Sequence, residues 1–271
     1  MSTSSVALNE IPREQRGPTR RVDGGMLGGL LAGAGAVVAA IAVTRIHLSY
    51  FFQPSGILMV IGGTLAVVFV TTPLPALRST AARVLELVWH RGADRSQLRK
   101  QIMTYVRVAR AQGLLGIESM VSECEHPFLR ESLILALDVQ RAELQGTMET
   151  KLRLHERQGE GDARTLESAG GFAPTIGVLG TVVGLVDALR RFSDLPSVAS
   201  GVGIAFASTF YGLGLANLLL LPLAYRIRAM MAEKLETEEM ILEGVLCILD
   251  GIHPSLVSER LRAFLGETAE V

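Results

Sequence analysis

FAPTIGVLGTVVGL, Phe172 to Leu185, reads as part of a membrane-spanning helix that carries two costly residues. Pro174 has no N–H to give and frees a backbone carbonyl. The hydroxyl of Thr181 needs a partner where there is no water. Extended to its apolar limits the run is Gly170–Leu189, close to the ~20 residues that cross a hydrocarbon core of ~30 Å. Three more runs share its character: Gly24–Val43, Gly56–Leu77 and Ala199–Tyr225. Asp187, near an end, is the only charge within the four. The pattern predicts an all-α fold, a polytopic membrane protein with four transmembrane helices and a helical cytoplasmic domain.

Composition agrees. The chain has 271 residues, 49% of them hydrophobic, and a mean hydropathy of +0.36, too apolar for an ordinary soluble domain. A charged fraction of 20% shows that much of it lies outside lipid. The net charge of -1 and an aromatic content of 5% give no footing for nucleic acid. Cys124 and Cys247 stand far apart, one in a polar and one in an apolar stretch, and are read as inert reduced thiols.

Basic residues set the orientation. Arg13, Arg16, Arg20 and Arg21 precede the first run, Arg78 and Arg83 follow the second, and Arg226 and Arg228 follow the fourth. Both termini and the long middle segment are therefore expected in the cytoplasm. Arg190 and Arg191 in the outer link are offset by Asp187 at i+3 and i+4. The expected organisation is a cytoplasmic tail over 1–23, two transmembrane helices over 24–77, a cytoplasmic helical domain over 78–169, two more spans over 170–225, and a C-terminal cytoplasmic helix and tail over 226–271. The tail 1–23 is polar and aperiodic, and it is not expected to be a cleaved signal, because the apolar run after it is too long and no clear cleavage site follows that run.

Within the cytoplasmic segment, RSQLRKQIMTYVRVARAQG places Leu98, Ile102, Tyr105 and Val106 at helical spacing and ends at Gly113. Short helices are expected at Gly116–Glu123 and Phe128–Leu137, with a turn between them. The polar stretch Asp138–Glu167 extends the third span downward, and Arg226–Ile252 extends the fourth, so that the stalks form a bundle.

The two inner polar positions fall at one depth. Thr181 lies nine residues before Arg190, and Thr209 nine after Ser200. At ~1.5 Å per residue both hydroxyls sit ~13 Å below the outer boundary. Pro174 shares the face of Thr181, with Gly177 and Gly184 nearby; Ala205, Thr209, Gly212 and Ala216 line one face of the fourth helix. Two readings stay open: small-residue helix packing with back-bonded threonines, or an ion path lined by hydroxyls and a freed carbonyl. No Asp or Glu lies mid-membrane, so an ion-driven machine built on this chain needs a carboxylate from another chain. There is no Gly-rich phosphate loop and no HExxH, and His47, His90, His126, His155 and His253 are scattered. No enzyme and no bound cofactor are expected.

The motif FAPTIGVLGTVVGL closely resembles the third helix of the MotA/PomA family of flagellar motor stator subunits. YFFQPSGILMVIGGTL, residues 50–65, resembles the start of that family's second helix, and STFYGLGLANLLLLPLAYRIR, residues 208–228, its fourth helix with a cytoplasmic proline, here Pro222. ARAQGLLGIE resembles the family's basic-to-acidic element, with Arg110 and Glu118 at matching spacing. The likeness covers about residues 24–255.

The resemblance implies a homopentamer around a MotB/PomB-type single-pass partner that supplies the membrane aspartate and grips peptidoglycan. It implies residence in the inner membrane, among lipid. Pro174, Thr181, Thr209 and Pro222 become candidates for the ion pathway, and Arg110 and Glu118 for the contact with the rotor protein FliG. The transported ion is sodium or proton. Threonine at both positions 181 and 209 matches the sodium-type members. A TolQ/ExbB-like proton-channel energiser of envelope transport is the alternative. Those chains usually carry three spans, and four apolar runs favour the stator.

Overall fold

The computed structural model describes residues 24–43, 52–88 and 94–265, and nearly all of them are helical. The expected tail 1–23, most of the first outer link and the last residues of the C-terminal tail lie outside the described residues. Ten α-helices are described: α1 (Gly24–Val43), α2 (Pro54–Thr71), α3 (Leu74–Val88), α4 (Arg95–Gln112), α5 (Glu118–Val121), α6 (Pro127–Asp138), α7 (Arg141–Arg190), α8 (Leu195–Gly214), α9 (Leu221–Leu249) and α10 (Pro254–Ala263). A 3₁₀ turn, Leu114–Ile117, precedes α5, and a π-helical segment, Leu215–Leu220, joins α8 to α9.

Among the described residues, three helical runs are long and apolar enough to cross a membrane: α2, α7, and the continuous run Leu195–Leu249. A shorter apolar stretch, Leu31–Val43, lies in α1. The 50 residues of α7 carry the third apolar run and its polar extension as one helix, and α9 extends the fourth run in the same way.

The second apolar run does not continue as one helix to Leu77. Thr72 is extended, with φ -126 and ψ 126, as a residue before proline prefers. Pro73 follows, and α3 starts anew at Leu74. From there α3 runs along α7. Ser79 and Thr80 both donate to the buried Asp162 at 3.1 Å, and Arg83 Nε stands 3.5 Å from the same carboxylate.

The helix ends follow local chemistry. Asp94 caps α4 by accepting from the Gln97 N–H at 3.1 Å. Gly113 stops it with a φ of 78, a backbone state that glycine adopts without strain. His126 and Pro127 open α6, and His253 and Pro254 open α10.

Two apolar clusters hold the part outside the apolar spans. The larger joins α4, α6, α7, α9 and α10 through Ile102, Leu129, Leu144, Met148, Ile241 and Leu261, all fully buried. The smaller joins α3, α7 and α9 through Leu87, Ala163, Ile227 and Met231. Each large apolar side chain so buried contributes about 1.5–3 kcal/mol.

Candidate functional site

The α7–α8 pair is built on glycine. A Cβ added to Gly184 would stand 2.5 Å from the Ala205 nitrogen and 2.7 Å from the Gly201 oxygen. One added to Gly177 would meet the Ser208 oxygen at 2.9 Å, and one on Gly212 the Ala173 oxygen at 2.6 Å. Backbones this close gain dispersion contacts that larger residues would prevent. The second helix leans on the same pair: Ile176 fills the space beside Gly63, and Gln53 N–H donates to the Tyr211 hydroxyl at 3.1 Å.

That approach brings the two expected threonines together. Thr181 Oγ1 lies 2.6 Å from Thr209 Oγ1. It also lies 3.2 Å from the Gly177 carbonyl of its own helix and 3.2 Å from the Ala205 carbonyl of the facing one. Thr181 has one proton and three oxygens around it. When Thr209 donates to Thr181, Thr181 can donate to only one carbonyl, and oxygen lone pairs are left over. Both residues are half-buried. The glycines carry the packing, and the hydroxyls form a small cluster of oxygens beside it.

Pro174 lies at the same helix contact. Its Cα would stand 3.3 Å from a Cβ on Gly212. Pro222 sits lower, at the start of α9, just after the π segment. The widened turn was not foreseen from sequence. Its only local signal is Pro222 itself, whose ring cannot accept the ordinary i-4 carbonyl geometry. Asp187, at the far end of α7, pairs with Arg191 at 3.4 Å.

Below the apolar spans a further set was missed. The Arg228 guanidinium grips Glu160 with two bonds, of 2.9 and 2.8 Å, and also binds Glu167. Hydrogen bonding from Arg228 holds the Glu160 carboxyl below the usual carboxylate range, and bonding to both acids raises Arg228 further. His155 Nδ1 meets the buried Glu238 at 2.8 Å; folding supplies the partner that spacing did not. Among the described residues no group of His, Cys, Asp and Glu could hold a metal ion. Both cysteines are free and buried, and burial together with Glu243 pushes the Cys247 thiol up to about 11, which makes it unreactive.

Arg110 and Glu118 stand on other elements than the threonines, on α4 and at the first residue of α5. Both are exposed. Arg110 reaches the Gly251 carbonyl at 3.4 Å.

The model of the MotA/TolQ/ExbB proton channel family matches residues 121–240. Motility protein A of Bacillus subtilis is 27% identical over 240 residues, which cover 88% of each chain. Chemotaxis protein PomA of Vibrio alginolyticus is 24% identical, over 88% of this chain and 94% of its own. The solved flagellar MotAB stator complex from Bacillus subtilis contains a chain that superposes with a TM-score of 0.81 at 25% identity, over 88% of this chain and 94% of that one.

Over most of its length the chain is similar to the MotA/PomA subunits of flagellar stators, and residues 121–240 match the wider MotA/TolQ/ExbB family. The matched family is one of proton channels, not of enzymes. The threonine cluster and the two prolines occupy the helices that carry the resemblance to MotA/PomA proteins.

Proposed function

We propose that this stator subunit works with a MotB/PomB-type single-pass partner and converts ion flow, sodium by preference and proton as the alternative, into torque on FliG. The observation that carries the reading is the 2.6 Å contact between Thr181 and Thr209 on the close-packed α7–α8 pair. The spans hold no mid-membrane carboxylate; the partner supplies one. Hydroxyl oxygens beside that carboxylate suit a partly dehydrated hard cation. A proton needs only a titrating group and a water chain.

In this reading four helices cross the inner membrane, over 24–77 and 170–225, with 1–23, 78–169 and 226–271 in the cytoplasm. The arginines after the second and fourth runs support that orientation. Five copies surround the partner, within lipid. Pro174 and Pro222 loosen their helices so that ion passage changes their shape. Arg110 and Glu118 engage the rotor through exposed charge pairs worth ~0–1 kcal/mol each, weak enough to break at every step.

The test is swimming speed against external sodium at fixed pH and membrane potential. Speed should rise and saturate with sodium, and a Thr181→Ala motor should stall. Wild-type speed that ignores sodium would reject the sodium assignment.

A further inference from the structure

Two helical irregularities meet at Asn217. In the π segment Leu215–Leu220 the hydrogen bonds run to the fifth residue back, and the Leu221 N–H goes to the Ala216 carbonyl. The next donor in that register would be residue 222, which is proline. The Asn217 carbonyl is therefore left without a main-chain N–H from its own helix. The side chain adds a second oxygen. Asn217 is exposed, and its Nδ2 donates to the Leu213 carbonyl at 3.0 Å. Its Oδ1 accepts no bond from the described residues.

A second proline frees a carbonyl on the facing helix, at a buried residue. Pro174 removes the donor that the Gly170 carbonyl would otherwise use, and Gly170 packs against Leu220 and Leu221. Asn217 is eight residues beyond Thr209, which places it ~12 Å further along the span, toward Arg226 and Arg228. Oxygens without donors are costly in hydrocarbon, so the exposed Asn217 is placed to meet water, a cation or another chain.

We propose that Asn217 is a second ion station, in which its side-chain oxygen and its own backbone carbonyl receive the cation after the Thr181–Thr209 pair. The proposal rests on the ion-path reading of those threonines. A neutral oxygen set fits a transit site: it replaces part of the hydration shell and holds the ion weakly enough to release it. The π segment and Pro222 then have a common purpose, since together they uncover the Asn217 carbonyl on the residue that also bears an amide.

The experiment is ion uptake by proteoliposomes that hold the full complex with its single-pass partner. Sodium-22 and an internal pH dye are the two probes, and the probe that reports wild-type uptake is used throughout. Asn217→Leu should assemble normally and lower the initial rate about tenfold. Asn217→Ser, which keeps a short oxygen ligand, should lie between. Pro222→Ala, which returns an N–H to the carbonyl, should also lower the initial rate. If Thr181→Ala abolishes uptake while Asn217→Leu conducts like wild type, the second station is overturned and the threonine path stands. If neither substitution alters uptake, the ion-path reading falls with it. If Asn217→Leu and Asn217→Ser both fail to assemble, Asn217 is a contact between helices and the proposal is overturned.

Discussion

Gly184 and Ala205 meet backbone to backbone: a Cβ on Gly184 would stand 2.5 Å from the Ala205 nitrogen. Neither atom belongs to a flexible side chain, so α7 and α8 must part to admit a methyl. Gly184→Ala should destabilise the protein by about 1–3 kcal/mol and separate the threonine pair one turn away. The opposite outcome is expected at Gly146, an exposed residue inside α7 with nothing within 4 Å of a new Cβ. Gly146→Ala should stabilise by about 0.5–1 kcal/mol. Thermal melting of the two purified variants checks both signs.

Removing the Thr181 hydroxyl while keeping its shape separates packing from ion handling. Thr181→Val should change stability by less than about 1 kcal/mol. It should stall the motor as Thr181→Ala does, and Thr181→Ser should restore sodium-dependent swimming. A Thr181→Val motor with unchanged sodium dependence would reduce the contact with Thr209 to helix packing.

Arg110→Glu and Glu118→Lys alter exposed residues, so stability should stay within about 0.5 kcal/mol. Swimming should nevertheless weaken, and charge reversal on the rotor should partly restore it. Soft-agar expansion, compared with the amount of membrane-assembled protein, measures this. Unaltered swimming in both variants would leave the pair as a solvated surface.

Asp162 ties α3 to α7 through Ser79, Thr80 and Arg83. Asp162→Ala removes the acceptor shared by Ser79, the buried Thr80 and the half-buried Arg83 and should cost about 1–3 kcal/mol. Asp162→Asn keeps acceptor capacity for the two hydroxyls and should cost less. Denaturant midpoints of the two variants rank them.

His126 gives a pH dependence with a definite sign. Burial holds its imidazole below the usual 6.5, Glu238 pulls it up and Lys234 lowers it. Its Nδ1 accepts from the Leu129 N–H at 3.4 Å, which requires the neutral ring. Between the folded value and 6.5 the unfolded chain binds the extra proton, so this residue's contribution falls as pH drops from 6.5. Below the folded value it is flat. His126→Asn keeps a helix cap and removes the titration. Wild type should therefore lose stability relative to His126→Asn on acidification through that window, and parallel curves would contradict the assignment.

Much of this protein is legible along the chain. Run length and charge placement mark the apolar spans, Gly113 marks the end of α4, and the unbroken polar stretch before Gly170 foretells the length of α7. Counting residues from the outer link puts Thr181 and Thr209 at one depth. These features depend on rise per residue and local backbone preference, which sequence specifies directly. The break at Thr72–Pro73 was also signalled by its proline, but an apolar pattern that continues to Leu77 hid it. What only the tertiary structure decided are the partnerships: Arg228 with Glu160 and Glu167, Glu238 with His155, Asp162 with α3, and the 2.6 Å approach of the two hydroxyls. Their members are separated by 28 to 83 positions. Such pairs form only where helix axes come within reach, and here the glycines of α7 and α8 set that distance by leaving no side chain between the backbones.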